Sequence, residues 1–360
     1  MKILFTGGRA PATLEMVRNF GENGWEVFIA ESIRLNMSSY SKYVKSSFII
    51  SSPGHNEKKF VTELIQIINE NKIDILFPTC EEIFWVSKNK EIISDSCNTR
   101  IVCDKLDSLS LLHNKYRFIK FAENLDILTP KTELLFEERD IIRKSVIKPI
   151  FSRFGTSVQI INPKEKINND ITASYVVQEF IKGKSICSYG FAEKGQLKFN
   201  ICYKSPFNTQ QALTAFIPFS SNEVNHIVRK VVERLEFTGN ISFDFIQKDG
   251  RFYLIECNPR LTSGIHVLSL NNFITLFFGK NKEKLLNRAQ LMIPTLRYGR
   301  ILCYRDIIFS VKDMKPFFKQ FSCLKIFYKV KKQQHISLIE AMTEDIEWNG
   351  EGDDIAKFQK

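Results

Sequence analysis

Residues 241–260 read ISFDFIQKDGRFYLIECNPR. Two apolar, alternating runs flank Lys248-Asp249-Gly250. This is the pattern of a β-hairpin whose loop ends on a left-handed glycine. Counted as a three-residue loop, the turn sets Gln247 against Arg251, Ile246 against Phe252, Asp244 against Leu254 and Ser242 against Glu256. Alternate residues of a strand share a face. This register therefore predicts Asp244, Glu256 and Asn258 on one side, and Ile241, Phe243, Phe245, Tyr253, Ile255 and Cys257 on an apolar, core-facing side. A two-residue loop would bury Glu256 among phenylalanines, so side-chain parity argues against it. Asp244 and Glu256 are then diagonal neighbours, about 7–8 Å apart along the backbone. Two carboxylates and an amide oxygen converging without His or Cys suit a hard divalent cation, Mg2+ or Mn2+, with phosphate oxygens and water completing its shell. Pro259 fixes the exit of the strand. Arg260 adds a cation that can grip a phosphate or carboxylate at two points. A surface hairpin with scattered acids would explain the acids but not their shared side.

Upstream, short apolar strands alternate with helical stretches: KILFTGG at 2–8, a helix over 11–23 opened by Pro11, WEVFIAES at 25–32, FIISS at 48–52, a helix over 57–71, DILFPT at 74–79, a helix over 81–93 and RIVCD at 100–104. Such alternation predicts a parallel sheet with helices on both faces. The first loop is T-G-G-R-A-P and not G-x-G-x-x-G, which argues against a dinucleotide site. Thr79, Glu81 and Glu82 follow a strand at the end of the sheet where ligands bind. A helix N-terminus would equally favour the two acids. From Lys105 onward the pattern becomes α+β, with a basic amphipathic helix SLLHNKYRFIKFAENL, strands over 144–150, 157–162, 174–181, 185–193 and 197–205, and a helix over 221–236. The last ninety or so residues hold helical stretches, a strand-like RILCYRDIIF at 300–309 and a basic KIFYKVKK at 325–332.

Four further features suit a nucleoside triphosphate. Lys148 in VIKPI is a lysine amid apolar residues and calls for an anionic partner. SRFGTS at 152–157 is a small-residue turn whose amides could cover phosphates. Lys115 opens the region in HNKYRF, and VVQEFIKG at 176–183 is a strand suited to backbone bonds with an adenine edge.

In this order of parts the chain resembles the ATP-grasp superfamily over roughly residues 1–270, most specifically in FDF joined to ECNPR by a glycine hairpin. It looks nearest to the group of biotin carboxylase and the carbamoyl-phosphate synthetase large chain. The resemblance implies an α/β architecture. A doubly wound N-terminal domain (1–104) precedes a small lobe with linker helices (105–184), a large lobe carrying the metals (185–270) and a C-terminal extension (271–360). It also implies roles. Lys115 and Lys148 contact nucleotide phosphates. Ser152, Arg153, Phe154, Gly155 and Thr156 form a mobile phosphate-covering loop. Gln178, Glu179, Phe180 and Ile181 form the adenine hinge, and Asp244, Glu256 and Asn258 hold the metals. Arg260 steadies the transferred phosphate. Relatives place a ribose-binding glutamate in G-x-E after the hinge, where this chain has Gly183-Lys184-Ser185. Either Ser185 bonds the ribose more weakly or Glu179 turns inward to do so.

The implied chemistry is ATP-dependent activation of a small-molecule carboxylate as an acyl phosphate, joined to an amine or thiol with release of ADP and phosphate. The alternatives are a carbamate- or carboxyphosphate-forming or other phosphoryl-transfer enzyme on the same scaffold, or a non-catalytic nucleotide-binding protein. Tyr203, Lys204, Asn208 and Thr209 are candidates for the acceptor side. His266 is either a substrate-orienting group or a satisfied buried histidine.

The totals are compatible with this reading. The chain has 360 residues, 44% hydrophobic and 25% charged, with a net charge of +11. The positive charge suits an anionic nucleotide, and its spread without interleaved aromatics weighs against nucleic acid. Eight cysteines without a C-x-x-C pair predict reduced thiols, no zinc site and a cytoplasmic protein. No run is long and apolar enough to predict a membrane span. The tail could complete the pocket, make a homodimer or bind a carrier protein.

Overall fold

The computed structural model describes residues 1–350 apart from 136–140, 154–157, 166–174, 208–212, 270–272, 280–285 and 299–302. The N-terminal strands form a parallel five-stranded sheet in the order Val44–Ile49, Glu26–Glu31, Lys2–Thr6, Ile75–Phe77, Arg100–Ile101. The reason is in the side chains. Ile3, Leu4 and Phe5 are fully buried, as are Val27, Ile29 and Ala30 beside them, which is the two-sided burial a parallel sheet requires. Pro11 sits in the first turn of the helix Pro11–Glu22, and Asn56 caps Glu57–Asn71 by accepting from the Lys59 N–H. The chain runs to one side of the first strand and then crosses to the other. Loops 6–10 and 78–82 therefore border the crevice where such sheets receive ligands.

The long helix expected over residues 110–125 is two helices, Leu106–His113 and Lys115–Glu123. The cause is Asn114, whose side-chain oxygen accepts from the N–H groups of Tyr116 and Arg117. A capping amide ends one helix and starts the next, and so aims Lys115 inward. A four-stranded antiparallel sheet follows, ordered Thr132–Leu135, Tyr175–Glu179, Ser145–Pro149, Gln159–Ile161. A seven-stranded sheet runs Arg251–Asn258, Gly239–Lys248, Lys184–Glu193, Gln196–Lys204, Ala215–Phe219, Ala289–Gln290, Arg305–Asp306. Of the strand-like stretch 300–309, only Arg305–Asp306 is strand among the described residues.

The hairpin register differs from the expected one. Lys248 pairs with Arg251, so the loop is the two residues Asp249 and Gly250, at φ 49 and 79. Positive φ at both positions is what a tight hairpin turn matched to strand twist demands. Parity is then restored by a β-bulge: Phe245 faces Leu254, while Asp244 faces Glu256. Ile255 is the extra residue, and everything beyond it shifts by half a pleat. The buried set on this strand is Phe252, Leu254 and Cys257, whereas Tyr253 and Ile255, expected in the core, are only partly buried. The buried residues pack with Ile241, Phe243 and Phe245 against Val224, Ile227, Val228, Val231 and Val232 of the helix Asn222–Leu235.

Candidate functional site

The bulge places Asp244 directly opposite Glu256, closer than the diagonal relation expected of them, with Asn258 opposite Ser242. Two cations point at the same carboxylate. Lys148, on the strand Ser145–Pro149, is 3.8 Å from Glu256 Oε2, and Lys115, at the start of its helix, is 3.9 Å away. Both lysine side chains are 5% exposed, so neither is a surface lysine. The Lys115 ammonium also donates to the Ser152 carbonyl at 3.2 Å.

These charges are poorly satisfied by one another. Burial lowers Lys115 to about 8 despite Glu256 nearby, and it lowers Lys148 as well. Burial, and then the Glu256 charge, push Asp244 up to about 7. Glu256 moves the other way: burial raises it, but Lys115 and Lys148 outweigh that, and it stays below the usual carboxylate range. Beneath the pair lies a residue that strand patterning did not single out. Cys187 pairs with Asp244 across the neighbouring strand and hydrogen-bonds its carboxyl. Burial raises the thiol well above its ordinary value, so it serves as a neutral floor.

The donors fit a hard divalent ion in kind, all being oxygens. Among the described residues, no group of three or more His, Cys, Asp or Glu side chains is placed to cage a metal. An ion held by Asp244, Glu256 and Asn258 would therefore take its remaining ligands from phosphate and water.

Arg260 turns back just past the strand, its N–H bonded to the Asn258 carbonyl at 2.9 Å. Its guanidinium faces Glu81 at 3.7 Å. Arg153 is tied down instead. It bonds Glu81, the Trp348 carbonyl at 2.7 Å and Asn349 at 3.0 Å. Phe154, Gly155 and Thr156 lie outside the described residues, as do Asn208 and Thr209. At the expected hinge, Gln178 is buried and donates to Thr132 Oγ1 at 2.9 Å. The backbone N–H groups of Glu179 and Phe180 are taken by the carbonyls of Lys131 and Lys144. An adenine edge would thus have to address Ile181 or the carbonyls. Ser185 is exposed and pairs with Ile246.

The crevice acids divide. Glu82 Oε1 accepts from Thr6 Oγ1 at 2.6 Å and from the N–H groups of Thr79 and Cys80, both at 2.9 Å, so it braces the loop. Glu81 receives the two arginines. His266 is the satisfied kind, 1% exposed with Nδ1 3.1 Å from Glu15. Lys204 sits over the Phe219 ring at 5.6 Å.

Residues 112–264 match the ATP-grasp domain family. The chain is 23% identical over 201 residues to the carbamoyl phosphate synthase large chain of Archaeoglobus fulgidus, covering 49% of this chain and 19% of that one. It spans 55% of another curated relative, so at most about half the length of either. Among solved structures it is similar to N5-carboxyaminoimidazole synthetase of Staphylococcus aureus complexed with ADP, with TM-score 0.62 at 14% identity and 80% of each chain covered. It is also similar to an L-amino acid ligase of Bacillus licheniformis, with TM-score 0.61 at 13% identity, covering 79% of this chain and 75% of that one.

Proposed function

Residues 112–264 are an ATP-grasp domain, and from that premise we propose that the chain is an ATP-dependent ligase. In this reading it activates a small-molecule carboxylate as an acyl phosphate and joins it to an amine or thiol. The observation that carries the reading is Glu256, set opposite Asp244 with Lys115 and Lys148 both within 4 Å, in a group where burial works against the charged forms of both lysines and of Asp244. A polyanion with its counter-ion would complete such a group.

Lys115 and Lys148 would neutralise phosphate oxygens as charge moves during transfer. A divalent ion held by Asp244, Glu256 and Asn258 would supply further charge neutralisation and orient the phosphate chain. The substrate carboxylate attacks the terminal phosphorus in line: a carboxyl O–P bond forms as the P–O bond to ADP breaks. Arg260 would hold the oxyanions of the transferred group. The amine or thiol then attacks the acyl carbon, loses its proton and expels phosphate. Gln178, Glu179, Phe180 and Ile181 would line the adenine, and Ser185 the ribose.

Likeness to N5-carboxyaminoimidazole synthetase and carbamoyl phosphate synthase favours a second reading in which the activated acid is bicarbonate. A screen of ADP release against small acids and amines, with hydroxylamine trapping, separates the two. An organic carboxylate yields a stable hydroxamate, whereas bicarbonate-dependent ADP release yields no such acyl product. Absence of Mg-dependent ADP release with every acid would sink both.

A further inference from the structure

The last described residues form a strap, 343–349, across the mouth of the N-terminal sheet. Its anchors are numerous. Asp345 meets Arg9 at 2.5 Å and Ser32 Oγ at 2.5 Å, and the Asp345 carbonyl accepts from Gly54 N–H at 3.1 Å. Trp348 stacks on Phe84 at 5.9 Å and meets Trp85 edge-on at 4.9 Å. Apolar packing alone would explain a tail lying down. It does not explain where the polar atoms go. The Trp348 N–H points at Glu81 Oε2 at 3.4 Å, and the same oxygen takes Arg153 Nε. The Trp348 carbonyl, Asn349 Oδ1 and the Glu347 carboxylate, 3.3 Å away, occupy the rest of the Arg153 fork.

The consequence falls on Arg260. With Arg153 and the strap on one oxygen of Glu81, only Glu81 Oε1 faces Arg260, and that buried oxygen has no hydrogen bond among the described residues. Arg260 therefore keeps its direction from the 3.7 Å charge attraction. Among the described residues its one guanidinium hydrogen bond, to the Leu261 carbonyl, is long at 3.5 Å. A guanidinium aimed but not saturated is prepared for a bidentate oxyanion.

We propose that Glu81 and the strap are positioning residues that aim Arg260 at the terminal phosphate of the nucleotide. The strap thereby makes the C-terminal tail part of the ligase site. This rests on the reading of the chain as an ATP-binding ligase.

The test is calorimetric binding of MgATP and MgADP to the full chain, as wild type, Glu81→Gln and Asp345→Asn. The expected result is a MgATP Kd raised about tenfold in both variants, with the MgADP Kd within about twofold of wild type, because ADP lacks the phosphate that Arg260 receives. Equal weakening for both nucleotides would reduce the strap to a structural clasp and overturn the proposal, as would unchanged MgATP affinity. Should Asp345→Asn fail to fold, Glu347→Gln alters a partly exposed side chain, and about a threefold selective loss of MgATP is expected. A wild type that binds neither nucleotide overturns the ligase reading itself. That is a different result from variants that behave like a nucleotide-binding wild type.

Discussion

Two buried charge clusters in this chain obey opposite rules. At Arg18 and Asp313 every guanidinium nitrogen has an acceptor: Nε meets Asp313 at 2.9 Å, NH1 and NH2 reach the carbonyls of Ile307 and Ile308 at 2.8 Å, and Ser41 and the Lys42 N–H complete the carboxylate at 2.8 and 2.9 Å. At Glu256 the lysines stand off at 3.8 and 3.9 Å, and Asp244 crowds in beside them. Both clusters pay the desolvation of their charges. The first recovers it internally and is architecture. The second is left incomplete, as the proposed nucleotide site requires.

Substitution should separate the two. Asp313→Ala leaves the Arg18 guanidinium, 4% exposed, without its counter-ion. A loss of about 3–5 kcal/mol is expected in denaturant unfolding, with MgATP affinity per folded molecule retained. A small stability change there would break the distinction. Next in size, Glu256→Gln should lower Mg-dependent ADP release by about 10²–10³-fold while the far-ultraviolet circular dichroism stays that of the wild type. Retained turnover would mean that the unbalanced carboxylates are not the phosphate and metal site.

Acid should act on the closed side of the molecule. Burial holds His266, beside Glu15, and also His113 below the ordinary histidine value of 6.5. The unfolded chain then binds protons that the folded one refuses. The histidines' contribution to stability should be level above about pH 7 and be lost as pH falls below 6.5, while Asp244, raised to about 7, works the other way as it protonates and Lys115, lowered to about 8, adds stability only as pH rises past that value. Glu15 is held below 4.5, because Arg305 and His266 outweigh its burial, and adds a further loss at lower pH. Unfolding titrations from pH 8 to 5 check the net sign, and a gain on acidification would contradict a loss dominated by the histidines. The smallest effect concerns the ribose. Ser185→Glu introduces the acid that the family resemblance implies at the proposed ribose position, and one added hydrogen bond of about 1 kcal/mol should tighten MgATP by roughly fivefold. No change would place the ribose elsewhere.

The hairpin shows how far sequence patterning reaches. That Asp244, Glu256 and Asn258 share a side was legible, because a carboxylate cannot be buried among phenylalanines. The register was not. Counting residues through a regular ladder placed the extra residue in the turn, as a three-residue loop, whereas the chain uses two left-handed residues there and a bulge at Ile255. Both solutions satisfy parity. Only the second is compatible with packing Phe252 and Leu254 under the helix Asn222–Leu235. Lys148 was readable as a lysine out of place. The break at Asn114 was hidden because an amphipathic pattern continues across it.

The chain by itself determined the kinds of groups at the site and the side of the sheet they occupy, since alternation and the cost of burying charge are local rules. Only the tertiary structure decided which charges are satisfied and which are left open. Arg9 finds Asp345 and Arg153 finds Trp348 across almost the whole and more than half of the sequence, respectively. No spacing encodes a partner so distant, because it is chosen by where the packed sheets bring the two ends of the chain.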